Sequence, residues 1–336
     1  MRTKFLLTVC SAGMLFAAAT SYRVLTRYPV PGVGGWDYVT IDEQTRRLYV
    51  SHATQVEVLD ADSGKVVGSI PDTPGVHGIA ISNSLHRGFT SNGRENKVSI
   101  FDSATLKLIK KVDVGKGPDG IYFDPKTKRV FTNNHGTHDI SAIDAASGNV
   151  VGTVDVKGDG EQAVFGADGL IYVNLEDTAE VVAFDPQSLM VKKRYPVGIA
   201  QTPTGLAYDA ATNRLFIGCR REPKMVVMDA ATGKVVTSFP IGSGVDFAAF
   251  DPKSKIAFFS CGDGNLNMFH EKTASDIEDL GAVKTQQSAK TLALDSKTGK
   301  VFLPAAEYEE TPAAENGKRP QRKVKPGTFS ILVVGK

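Results

Sequence analysis

Short apolar runs separated by polar turns recur along the chain in one order: an apolar strand, a turn, then a strand carrying an aromatic residue. The pattern occurs seven times, opening at Trp36, His77, Asp119, Gln162, Thr204, Asp246 and Lys290. Its aromatics, Tyr49, Phe89, Phe131, Tyr172, Phe216, Phe258 and Phe302, lie 40, 42, 41, 44, 42 and 44 residues apart, so they are expected in the core. Each copy continues with a third strand ending in an acid and a fourth after a tight turn, as at 56–60 then 65–70. The turns Asp60-Ala-Asp-Ser-Gly64, Asp144-Ala-Ala-Ser-Gly148 and Asp229-Ala-Ala-Thr-Gly233 pair an Asx-type hydrogen bond with a glycine able to take positive φ. Their acids are expected to form turns, because a calcium loop would need several more oxygen ligands.

Four strands per unit and seven units predict an all-β fold, a seven-bladed β-propeller with four antiparallel strands per blade. A lone sheet with two apolar faces is not stable in water, whereas stacking seven around an axis covers both faces of each. The last unit tests this, because it has two strands over 290–304 and an apolar third over 328–334, and then the chain stops. Its fourth strand is expected from Arg23-Val24-Leu25-Thr26-Arg27-Tyr28-Pro29, which is similar to Lys65-Val66-Val67-Gly68-Ser69-Ile70-Pro71. That closure would satisfy strand edges otherwise left open.

The segments Tyr-Val-Ser-His, Phe-Thr-Ser-Asn, Phe-Thr-Asn-Asn and Tyr-Val-Asn-Leu, with Val-Val-Gly-Thr-like strands after them, resemble the exported YncE-like propellers built from YVTN repeats. The resemblance implies the architecture for nearly the whole chain after its leader. It implies no one function, since related propellers include binding proteins, electron-transfer subunits, lyases and sugar-lactone hydrolases.

Composition adds the destination. Residues 1–19 carry Arg2 and Lys4, an apolar run from Phe5 to Phe16 and a small-residue end at Ala17-Ala18-Ala19, the pattern of a signal peptide. A periplasmic or secreted protein is therefore expected, with 20–336 as one propeller domain and no transmembrane segment. Cleavage would lower the 39 Lys+Arg by two, to equal the 37 Asp+Glu, so a broad basic footprint for nucleic acid is absent. Cys219 and Cys261 are too few for a disulfide framework. Their equivalent places in adjacent blades, about 10 Å apart, favour free thiols.

Polar residues of unusual chemistry gather at one predicted end. Asp37, His77, Asp119, Glu161, Thr204, Asp246 and Lys290 open the inner strands around the axis. His52, Asn92, Asn134, Leu175, Cys219, Cys261 and Ala305 close the second strands, with Arg94, His135, Glu176 and Arg220 nearby. The expected binding set at this mouth is Asp37, His52, His77, Asn92, Asp119, Asn134, His135, Glu161, Asp246 and Lys290. Four carboxylates aimed at one point repel unless a cation compensates them. The metal candidates are Asp37, His77, Asp119, Glu161 and Asp246. Ca²⁺ would suit the carboxylates, whereas a transition metal would favour His52, His77 and His135. The spacing His135-Gly-Thr-His138 could also clamp an ion.

The segment 306–325 interrupts the last blade with an acidic half and the cluster Lys318, Arg319, Arg322, Lys323 and Lys325. Motifs for a serine nucleophile elbow, a zinc protease helix, a haem site or a phosphate loop are absent. The expected role is binding or scaffolding, a monomer taking a small molecule, a metal or a partner protein at the mouth. The alternatives are a metal-assisted hydrolase or lyase resembling sugar lactonases, with His77 or His52 moving protons, and nucleic-acid binding through the basic cluster.

Overall fold

The computed structural model describes residues 21–309 and 323–336, and there the seven repeats form seven four-stranded antiparallel sheets. Blade 1 consists of Trp36–Asp42, Arg47–His52, Gln55–Asp60 and Val66–Ile70. Blades 2 to 6 repeat that order from first strands Val76–Ser82, Pro118–Asp124, Gly160–Phe165, Gln201–Asp209 and Val245–Asp251. Consecutive first strands touch around the whole circle, including the step from blade 7 back to blade 1. The first strands therefore line the axis.

Blade 7 contains Ala293–Asp295, Lys300–Ala305, Ser330–Gly335 and, outermost, Arg23–Pro29. The closing strand pairs antiparallel to the last one, from Arg23 opposite Gly335 to Pro29 opposite Ser330, with one bulge between Val24 and Thr26. The first strand of this blade begins later than the expected Lys290. In its place, Ser260 Oγ donates to the Lys290 carbonyl at 2.6 Å and the Thr291 hydroxyl donates to the Asp37 carbonyl. Side chains reaching to neighbouring blades replace the ladder there.

The core is divided among the blade interfaces. Among the described residues there are seven apolar clusters, each drawing from two neighbouring blades and each holding one of the seven repeat aromatics. All seven aromatics are at most 1% exposed. Five of these rings meet aromatic partners from the same or the adjacent blade, as Tyr49 meets Phe101 at 6.1 Å and Phe131 meets Phe184 at 5.4 Å. Edge and tilted contacts of this kind add to apolar burial.

The acids behave as the turn chemistry requires. Asp60 accepts the Ser63 N–H at 2.7 Å, and Gly64 takes φ 73°. A Cβ at Gly64 would also lie 2.2 Å from the Tyr28 ring, so close approach as well as conformation demands glycine. Tyr28 thereby ties the closing strand to blade 1, and its hydroxyl donates to the Asp62 carbonyl at 3.1 Å.

Cys219 and Cys261 are free and fully buried. They belong to different interface clusters, between blades 4 and 5 and between blades 5 and 6. Burial pushes both thiols up to about 12. Among the described residues no helix is long and apolar enough to cross a membrane. The expected leader over 1–19 lies outside the described residues, as do Lys318, Arg319 and Arg322. The described ends of the 306–325 segment meet through a bridge between Tyr308 and Val324 and an ion pair of Lys325 with Glu307 at 3.0 Å.

Replacing Tyr28 by alanine should lower stability by about 3 kcal/mol or more, because a large buried side chain leaves the closing interface. Arg23→Ala on the exposed part of the same strand should stay within about 0.5 kcal/mol of wild type. Chemical denaturation of both variants checks this, and equal losses would contradict the closing role of Tyr28.

Candidate functional site

The register at the mouth shifts at the start of every first strand in blades 1 to 6. The bulges fall between Trp36 and Val39, Val76 and Ile79, Pro118 and Ile121, Gly160 and Ala163, Pro203 and Gly205, and Val245 and Phe247. A bulge leaves a residue out of the ladder and re-aims its side chain. The residues released include Asp37, His77, Asp119, Glu161 and Thr204, with Asp246 in blade 6.

The repeat's buried polar residue holds these bulges. Ser51 Oγ accepts the Asp37 N–H at 2.8 Å, and Ser91 Oγ accepts that of Gly78 at 2.9 Å. Asn133 donates to the Glu161 carbonyl at 2.7 Å, and Asn174 accepts the Gln162 N–H at 2.8 Å. Blade 5 has Gly218 at this place and carries the neutral Thr204, whose hydroxyl donates to the Val245 carbonyl at 2.7 Å.

Beneath the ring the axis is plugged. The residues one step further along the first strands differ widely in size: Tyr38, Gly78, Gly120, Gln162, Gly205 and Phe247. Tyr38 reaches from blade 1 to Glu161 of blade 4, its hydroxyl 3.2 Å from Oε1, and meets Phe247 edge-on at 5.5 Å. Gln162 donates to the Ala248 carbonyl at 2.7 Å and accepts the Leu206 N–H at 2.8 Å. A void of about 90 Å³ remains between them. Neither Tyr38 nor Gln162 was marked by its own chemistry. The glycines at the same position of blades 2, 3 and 5 were the available signal.

Above this floor the charged groups form a nearly continuous circuit. His77 Nδ1 lies 2.7 Å from Asp37 Oδ2 and 3.7 Å from Asp119 Oδ2. His135 Nε2 lies 3.9 Å from the same Asp119 oxygen and 3.5 Å from Glu161 Oε2, and donates to the Gly160 carbonyl at 2.8 Å. Beyond Glu161 the circuit resumes at Glu176, which pairs with Arg220 at 3.4 Å. Arg220 also binds Asp246. Lys290 then joins Asp246 at 2.6 Å to Asp37 at 3.3 Å. An open cavity of about 700 Å³ lies over blades 1 to 3, lined by Asp37, His77, Asp119, His135 and Lys290 among others.

Not every expected residue reaches it. His52 is 2% exposed and packs 4.7 Å from the Phe329 ring, and burial lowers its imidazole below the ordinary histidine value. Asn92 and Asn134 are buried bolts between second and third strands, donating to Ser99 at 2.8 Å and Ser141 at 2.9 Å. His138 parts from His135 and lies 2.9 Å from Asp159 on the outer loops. Asp246 is brought to the ring, but Lys290 and Arg220 already occupy its oxygens.

Two groups of potential ligands remain: Asp37, His77 and Asp119, and Asp119, His135 and Glu161. Burial and the charge of Asp37 raise Asp119 above the usual aspartate value despite His77 and His135. Burial, then Asp119, Glu176 and Asp37, push Glu161 well above its ordinary value. Burial opposes the charged form of His77, yet Asp37 and Asp119 outweigh it and raise the imidazole. Burial would also raise Asp37, but Lys290 and His77 hold it low.

In chelator, therefore, Asp119, Glu161 and His77 hold more protons in the folded chain than in the unfolded chain, each between its ordinary value and its raised one. These groups make stability fall as pH rises through those windows. Thermal scans from pH 5 to 8.5 should show the fall, and Glu161→Gln should reduce it. An equal or steeper fall in the variant would contradict the electrostatic account.

No protein-family model matches the sequence, and no curated protein matches it. Solved structures share the fold. Hydrazine synthase from Kuenenia stuttgartiensis is 16% identical, covering 82% of this chain and 94% of that one, with a TM-score of 0.72. A chain of the mitotic checkpoint complex is 16% identical over 90% of this chain and 95% of that one, with a TM-score of 0.74. U3-55K is 9% identical over 94% and 98%, with a TM-score of 0.76. At these identities the likeness is one of propeller architecture.

Proposed function

We propose that this chain is an exported binding propeller whose mouth holds a first-row divalent transition metal and, through it, a small oxygen-donor ligand. The carrying observation is the shared Asp119. One of its oxygens lies between the imidazoles of His77 and His135, and the other is buried without a hydrogen-bond partner among the described residues. A buried carboxylate oxygen left unpaired is costly, and a cation supplies what the protein around it does not.

The donor chemistry favours a transition metal over calcium. Calcium takes six to eight oxygens, whereas each group here combines one imidazole with two carboxylates. With Asp246 engaged by two cationic side chains, an all-oxygen cage loses one of its expected members. Small residues at Ala53 and Gly93, where blades 3 to 5 carry His135, Glu176 and Arg220, leave the side over blades 1 and 2 open to a ligand. The YVTN-type segments and the leader support a place among the exported YncE-like propellers.

Metal-free, untagged protein should gain several degrees in melting temperature with Mn²⁺ or Zn²⁺, since a ligand at a hundred times its Kd stabilises by about 2.7 kcal/mol. Asp119→Asn should lose most of that gain. A wild-type melting temperature indifferent to both metals would contradict the proposal.

A further inference from the structure

We infer that the mouth is a paired-cation centre, in which the Asp119 carboxylate is shared between two divalent ions. One ion is held with Asp37 and His77, the other with His135 and Glu161. This rests on the cation reading above and extends it to the number of ions and the division of ligands between them.

The division follows from reach. Within each group the ligand atoms lie within 4.8 Å of one another, but the five residues do not form one group. The two imidazoles fall on opposite sides of the division, and Asp119 is the member common to both. Metal bonds to imidazole and carboxylate are about 2.0–2.2 Å, so opposite ligands of one ion are separated by about 4.4 Å at most. One ion can gather one group, and gathering one leaves the other's histidine and carboxylate unused.

Asp119 is placed to serve both. Its Oδ2 stands 3.7 Å from His77 Nδ1 and 3.9 Å from His135 Nε2. Its Oδ1 is buried with no hydrogen-bond partner among the described residues, so the carboxylate has acceptor capacity beyond one neighbour. A carboxylate between two ions is consistent with the spacing of about 3.5–4 Å found in two-metal sites.

Charge leaves room for an anionic ligand. With both imidazoles neutral, Asp37, Asp119, Glu161, Glu176 and Asp246 face Arg94, Arg220 and Lys290, a balance of two negative charges. Two divalent ions leave two positive charges, which suits the anionic end of an oxygen-donor ligand in the adjoining cavity.

The test uses untagged wild-type protein loaded with Mn²⁺. Native mass spectrometry should find two Mn²⁺ per chain, and electron paramagnetic resonance should show a spin-coupled pair. His135→Gln and His77→Gln should each reduce the count from two to one and restore the six-line spectrum of isolated Mn²⁺, with circular dichroism confirming the fold. One Mn²⁺ per wild-type chain with an uncoupled spectrum would overturn the pairing and leave the single-cation reading standing. No retained Mn²⁺ would overturn both.

Discussion

Burial of both faces of every sheet is the constraint from which the rest of this molecule follows. An isolated four-stranded sheet of this composition would present apolar side chains to water on two sides, and only a closed circle hides them all. The seven interface clusters each carry one repeat aromatic and draw from two blades. No blade owns a core by itself. Closure at the termini is therefore part of the core, and Tyr28, wedged over Gly64 where no Cβ fits, joins the first described strand to the next blade.

A closed circle has a second consequence, which is chemical. Equivalent positions of seven blades converge on one axis, so any ionisable residue there meets its counterparts from other blades. The bulges at the first strands turn these residues toward one another, and buried Ser51, Ser91, Asn133 and Asn174 bond the backbone at or beside them. Blades 3 to 5 fill the next position outward with His135, Glu176 and Arg220, whereas blades 1 and 2 leave it small. Departure from sevenfold equivalence thus gives the mouth an open side and a charged side.

The fold was legible because its signals are periodic. Aromatics near 42 residues apart recur seven times and the Asp…Gly turns three times, each with one local physical cause. The ring residues Asp37, His77, Asp119, Glu161, Asp246 and Lys290 were legible for the same reason. What could not be read was which side chains turn inward to bond their own blade. His52, Asn92 and Asn134 share an alignment position that faces the third strand and neighbouring rings, so their polar atoms are used or buried there. The floor was hidden because Tyr38 and Gln162 act across the axis, over sequence separations of more than 80 residues. Only the glycines at the same position of blades 2, 3 and 5, where neighbouring first strands come close, mark the floor in the sequence.

The central claim is that convergence at the axis creates a demand for positive charge that the protein's own side chains do not meet. The most direct measurement is an anomalous difference map at the manganese edge from crystals of the protein grown with Mn²⁺. The account predicts peaks bordered by Asp37, His77 and Asp119 and by Asp119, His135 and Glu161. An empty map at full occupancy of protein, with His77 still resting on Asp37 and His135 on the Gly160 carbonyl, would contradict it.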